Sequence, residues 1–192
     1  MATFLSALDF ETTGLDYMKG ERIIEACVQV WRLEDRKKVI DWTQLINPQG
    51  QRINPRAQKV HGISAADLIG KPIFKEVAPK ITAMLGRSKA VVTHNGEFFD
   101  LPFLAYELSK VDVPLPKGLE SFDTMTGGMF ASYDQKPPSL KELCWAAGVE
   151  YDDEQAHAAS YDVEVMMKSF FTLTDLGYYD ISHLTETEKE AA

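Results

Sequence analysis

The chain has 192 residues, enough for one compact domain with a short surplus at about 150 residues per domain. Hydrophobic residues make up 45% and charged residues 26%, a balance that excludes a disordered chain, and no apolar run approaches the roughly 18 residues of a membrane span. Asp and Glu number 29 against 20 Lys and Arg, a net charge of −9. That charge argues against a protein that coats long nucleic acid through phosphate contacts, and leaves open an enzyme that gathers carboxylates around cations and grips few nucleotides.

Residues 3–9 read as a buried strand, broken by Thr12-Thr13-Gly14. The N-terminus lacks a basic start and meets Asp9 too early for a signal peptide. Residues 23–31 and 39–46 are β-rich and flank the charged stretch 33–38, a hairpin pattern. Residues 47–63 read as a Pro/Gly-containing loop, and Ser64 with Asp67 starts a helical turn. Lys75 to Leu85 is amphipathic, with Val77, Ile81 and Leu85 on one face and Pro79 marking a kink or a later start. Ala90 to Thr93 is a short strand, and Leu101 to Leu108 a helix beginning near Asp100, because Pro102 is tolerated in a first turn. Ser139 and Glu142 form a capping box whose helix Gly148 closes. Ser160 to Leu176 is the last long helix, and its Val163, Met166, Met167, Phe170 and Leu173 form a core stripe. The pattern predicts an α/β sandwich with a mixed sheet in one domain, residues 1–176, followed by a tail, 177–192, whose polar end from Thr185 frays. Cys27 and Cys144 form no CxxC and suit a reducing compartment, so we expect a soluble cytoplasmic protein with no membrane contact.

Three short segments carry candidate chemistry. Asp9 and Glu11 end the first strand, and strand alternation puts both carboxylates on one face. Adjacent like charges there are unfavourable without a cation, and oxygen ligands suit magnesium or manganese. Two solvated carboxylates entering a turn are the plainer alternative. His94 to Asp100 follows the 90–93 strand, the end at which open α/β sheets place ligands, although Asp100 can equally be a helix cap. His157 and Asp162 straddle the start of the last helix, where a surface His and a first-turn charge are also ordinary.

Taken in order, Asp9-x-Glu11, His94-Asn95…Asp100 and His157-x4-Asp162 resemble the DnaQ-like DEDDh family of 3′→5′ exonucleases, from about residue 4 to about 172. Leu8 to Leu15 looks like that family's first motif without gaps, Val60-His61-Gly62-Ile63 its loop against the terminal nucleotide, and Ser121 to Thr124 its next strand end. The second motif is one residue longer than the commoner His-Asn-x-x-Phe-Asp, a spacing shared with the three-prime repair exonuclease branch. Glu97 is therefore the alternative to Asp100 as ligand. We favour Asp100, which precedes the helix start, and place Asp123 outside the metal set as a structural residue.

The resemblance implies an RNase H-like three-layer sandwich, a mixed central sheet with helices on both faces. It also implies two divalent cations, Mg2+ or Mn2+, on Asp9, Glu11, Asp100 and Asp162, with His157 as general base and a nucleoside 5′-monophosphate as product. Thr12, Thr13, Gly14 and Leu15 look like the seat of the terminal base and 3′-hydroxyl. Ile63 is expected beside Leu15 as a wedge between bases, with ordinary loop packing as the alternative, and His61 and Asn95 either contact the nucleotide or only shape the loop and the turn that carry them. The expected substrate is single-stranded DNA or frayed 3′ ends, with RNA as the alternative, and a replication or repair protein is a candidate partner. A metal-dependent phosphohydrolase would not need the His157–Asp162 pair, and an inactive binding module would not keep all five chemical positions.

Overall fold

The computed structural model describes residues 2–134 and 136–185. β1 (Phe4–Thr12) extends three residues beyond the expected end at Asp9, because its last residues still pair with β2 (Ile23–Arg32). Glu11 lies opposite Glu25 there, and after a register shift Thr12 meets Ile23. β3 (Lys37–Leu45) completes an antiparallel meander through a turn that places Arg36 at φ 56. β4 (Ala90–Thr93) and β5 (Glu120–Asp123) add in parallel beyond β1, so the strand order is β3-β2-β1-β4-β5.

Residues expected as loop between 47 and 63 contain a short helix, α1 (Pro55–His61). Asn54 caps it by accepting from the Arg56 N–H at 2.9 Å, Pro55 fills a first-turn position where an N–H is dispensable, and Gly62 ends it at φ 74. None of its residues is buried, so it has no apolar stripe for periodicity to detect. Ser64 and Asp67 form a hydrogen-bonded turn rather than a helix. α2 (Phe74–Leu85) starts one residue early and runs through Pro79, while burying Val77, Ile81 and Leu85 as their spacing predicts. α3 (Asp100–Ser109), α4 (Leu140–Ala147) and α5 (Ala159–Asp175) lie within a residue or two of expectation. The Ser139–Glu142 capping box is formed, and Gly148 ends α4 at φ 67.

Alternation in β1 separates two cores. Leu8 and Phe10 pack with α2 and α3 on one face, whereas Leu5 and Ala7 pack with α4 and α5 on the other. The fold is the expected α/β sandwich, three layers with helices on both faces of a mixed sheet.

The packed body extends past the boundary drawn at 176. Tyr179, Ile181 and Leu184 are buried in the α5-side core, and the last of these lies in α6 (Ser182–Thr185). The Tyr179 ring meets Phe122 edge-on at 4.9 Å, and its hydroxyl donates to the Thr124 carbonyl at 3.1 Å. These apolar residues are too few and too close to a Gly-Tyr-Tyr turn to show periodicity; residues 186–192 of the tail lie outside the described residues. Cys27 and Cys144 are buried free thiols. Among the described residues no helix is long and apolar enough to cross a membrane.

One buried ion pair ties α3 to the turn after β1. Arg22 donates through Nε at 2.6 Å and Nη2 at 3.0 Å to the two carboxylate oxygens of fully buried Glu107. The backbone of Arg22 pairs in turn with Thr13. Removing one partner leaves an uncompensated buried charge, so Arg22→Ala should cost about 3–5 kcal/mol in urea unfolding. Adding Glu107→Leu should return most of that loss; an equally unstable double variant would show that the pair holds more than its own charges.

Candidate active site

Asp9 and Glu11 project from the end of β1 on the side covered by α5, and the first turn of α5 brings Asp162 to the same place. Asp100 arrives from the opposite layer as the first residue of α3. It is only 3% exposed and accepts from the Phe10 N–H at 3.0 Å, between the two β1 carboxylates in sequence. Asp162 accepts from the His157 N–H at 3.0 Å through Oδ2, while its Oδ1 is buried without a hydrogen-bond partner. His157 itself is exposed on the loop before α5, in the left-handed backbone region at φ 65. It lines a cavity of about 590 Å³ with Glu25, His61, Ile63, Ser160 and Tyr161.

The electrostatics of this cluster are those of crowded anions. Burial, and then the charges of Asp9, Glu25 and Asp162, push Glu11 up to about 8. Burial followed by Asp162 and Glu25 raises Asp9, and burial followed by Asp9 raises Asp100. Asp162 is also raised by burial, less so because the His157 N–H favours its charged form. Glu25, opposite Glu11, is a further carboxylate of the cleft that sequence reasoning missed. A lone acid in the apolar run Ile23-Ile24-Glu25-Ala26 was the available signal.

The donor set suits a hard divalent cation. It offers carboxylate oxygens only, it is destabilised by its own charge, and the orphaned Oδ1 of Asp162 is a buried acceptor without a donor. Among the described residues no three His, Cys, Asp or Glu side chains form a ready-made ligand group. Asp100 and Asp162 each commit one oxygen to a backbone N–H.

The longer second motif forms a turn with Asn95 at φ 69, in which the N–H groups of Phe98 and Phe99 donate to the Asn95 carbonyl. Glu97 leaves the cluster and accepts from the Ser121 hydroxyl at 2.9 Å, so Asp100 is the acid of this motif that sits with Asp9. Buried Asp123 accepts from the N–H groups of Asn95 and Glu97 on one side and Met125 on the other, a structural task. Phe98 is left 73% exposed.

The proposed substrate contacts divide. Thr13 is fully buried: its hydroxyl donates to Glu21 and accepts from the Arg22 N–H, and its carbonyl accepts from the Asn54 N–H. Thr12 is also buried and donates to the Gly14 carbonyl at 2.8 Å. Both side chains therefore shape the turn. A Cβ on Gly14 would lie 2.7 Å from the Glu21 carboxylate and would displace it. His61 accepts from the Ile63 N–H through Nδ1 and buries Nε2 beside the Thr12 backbone, the loop-shaping arrangement, while its residue also lines the cavity of His157. Leu15 is 83% exposed, Ile63 lines the cavity, and the Asn95 side chain is exposed.

Comparison with known proteins shows the family and the fold. The RNase_T family model, described as an exonuclease, matches residues 6–170. The chain is 35% identical over 178 residues to DNA polymerase III subunit epsilon of Rickettsia prowazekii, covering 87% of this chain and 72% of that protein. Its fold is similar to Escherichia coli exonuclease I, solved with a dT13 oligonucleotide, at a TM-score of 0.74 and 16% identity. That likeness covers 90% of this chain but 41% of exonuclease I. Exonuclease X, solved with 5′ overhanging duplex DNA, is similar at a TM-score of 0.66 and 22% identity, over 94% of this chain and 96% of that one.

The crowded carboxylates have a measurable consequence. With its pKa raised to about 8, Glu11 keeps a proton in the folded chain that the unfolded chain has lost, so the stability it contributes disappears as pH rises through that value. In chelator, unfolding free energy should fall by about 1 kcal/mol between pH 7 and 9, and Glu11→Gln should flatten this fall. Manganese should raise the melting temperature of the wild type, and Asp9→Asn should suppress that rise. A flat wild-type profile would dismiss the shared-charge account.

Proposed function

The chain belongs to the DnaQ-like exonuclease family, and on that footing we propose that it is a metal-dependent 3′→5′ exonuclease acting on DNA. It releases nucleoside 5′-monophosphates and prefers single-stranded or frayed 3′ ends. The observation that carries this reading is the meeting of Asp9, Glu11, Asp100 and Asp162 at one end of β1, with His157 joined to Asp162 through its backbone N–H. DNA as substrate is supported by the epsilon relative, a subunit of a DNA polymerase, and by the oligonucleotide-bound exonucleases of like fold. The same relatives favour a replication or repair partner and a cytoplasmic setting.

Asp9, Glu11, Asp100 and Asp162 would hold the divalent cations. Bound there, such ions supply activation of the attacking water and neutralisation of charge on the phosphodiester and the departing 3′-oxygen. The chain's own residues do the rest. The carboxylates fix the charge at the end of the sheet. His157, exposed on its loop, accepts the proton of the attacking water as general base. Leu15 and Ile63 offer apolar surface to base faces without reading sequence.

Single-stranded DNA and RNA of matched sequence, labelled at the 5′ end, test the reaction. We expect a ladder shortening from the 3′ end, faster on DNA and abolished by chelator. Faster shortening of RNA would reassign the chain as an exoribonuclease, and hydrolysis of a phosphate monoester with both strands intact would make it a phosphohydrolase. His157→Ala should lower turnover by about 10²–10⁴-fold with the fold unchanged, and Asp9→Asn should remove activity. Near wild-type turnover of the His157 variant would take that residue out of the mechanism.

A further inference from the structure

Residues 42–66 contain no Asp or Glu, although acids number 29 in the 192-residue chain. This stretch includes α1 and carries Arg52, Arg56 and Lys59, all exposed. None of the three has an ion-pair, hydrogen-bond or ring partner for its side chain among the described residues. Elsewhere Lys19, Arg22, Arg32, Arg36, Lys38, Lys141 and Lys168 are paired with acids. Lys37, Lys75, Arg87 and Lys117 are unpaired among the described residues, but Lys37, Lys75 and Lys117 have acids nearby in sequence. Arg56 and Lys59 are three residues apart on a helix and so share one face.

Two of these free cations line separate cavities. Lys59 and Val60 line the cavity that contains His157, whereas Gln58 and Arg52 line a second, of about 490 Å³, on the far part of the same segment. The second cavity adds Gln51 for polar edges and Ile53 and Ile69 for flat apolar faces, with Ile69 77% exposed. One guanidinium, side-chain amides and exposed apolar surface are the chemistry that holds a nucleotide of a single strand without reading its sequence.

Resting on the exonuclease reading above, we propose that α1 and the cavity beside it form a second subsite, which holds the segment of the substrate strand lying 5′ of the scissile end. Arg52, Arg56 and Lys59 take its phosphates, and the cavity lined by Gln51, Ile53, Gln58 and Ile69 receives one base. The cations are free because their partner is the strand. The site compensates for a carboxylate-rich cleft that repels a polyanion from a distance.

The test pairs wild type with an Arg52→Ala/Arg56→Ala/Lys59→Ala variant, in which only exposed side chains change. On a 12-nucleotide single strand, KM should rise about 10-fold or more with kcat little changed, while hydrolysis of a dinucleotide should be the same for both proteins. Fluorescence anisotropy with the labelled 12-mer should give log Kd a salt slope near 2 for wild type, about 0.7 per phosphate contact, and near zero for the variant. Exchanging the cations as Arg52→Lys/Arg56→Lys/Lys59→Arg should keep most of the affinity. Equal KM and equal salt slopes on the 12-mer would overturn the subsite, as would a matching loss on the dinucleotide. A wild type that shortens no strand would instead overturn the exonuclease reading, and the anisotropy comparison would still decide whether the strand lies on α1.

Discussion

The rest of the structure answers to the repulsion among carboxylates gathered at the end of β1. Asp9 and Glu11 are forced together by strand alternation, Asp162 joins them from α5, and Asp100 is delivered from the opposite layer. Left to themselves these groups would separate or protonate, and their raised pKa values record the second tendency. The fold holds them by fixing backbone. Phe10 and His157 each present an N–H to one carboxylate, so position comes from the peptide chain and one oxygen stays available.

That strategy needs rigid turns, and much of the buried polar chemistry is spent on them. Asp123 gathers the N–H groups of two turns and so fixes the approach to α3. Thr13 does the same for the turn after β1, using its hydroxyl and both backbone groups, and Arg22 carries that constraint to Glu107 on α3. The first and second motifs are thus joined through a buried ion pair as well as through Asp100. Such a pair is a poor source of stability compared with apolar packing. Here its value is geometric, because two segments 85 residues apart in the chain are held at one spacing.

The legible parts of the sequence were those with a strong local rule. The apolar run in 3–9, the Ser139 capping box and the Val163 to Leu173 stripe each produced the element observed. The carboxylate positions were legible through strand ends and motif order. What stayed hidden depended on tertiary pairing. α1 buries nothing, so only its Asn54-Pro55 start and Gly62 stop betray it. Tyr179 and Ile181 look like a tail until the β5 edge is there to cover. The hydroxyls of Thr12 and Thr13 and the ring of His61 bond within their own loops, partners that no local pattern in the sequence announces.

Net charge now takes on a more local meaning. A total of −9 argued against a protein that grips long nucleic acid, yet the same acids are distributed unevenly. Among the described residues nine Lys and Arg side chains are paired with acids, as in the Lys141–Asp153 and Lys38–Glu164 pairs, and the exposed pairs contribute little to the field felt by a ligand. A segment without acids keeps its cations unscreened within a Debye length of about 10 Å. The sum over the chain therefore says little about which surface a polyanion meets. Its approach depends on where the unpaired charges lie, and in this fold the acid-free segment lies against the wall of the cleft that His157 enters.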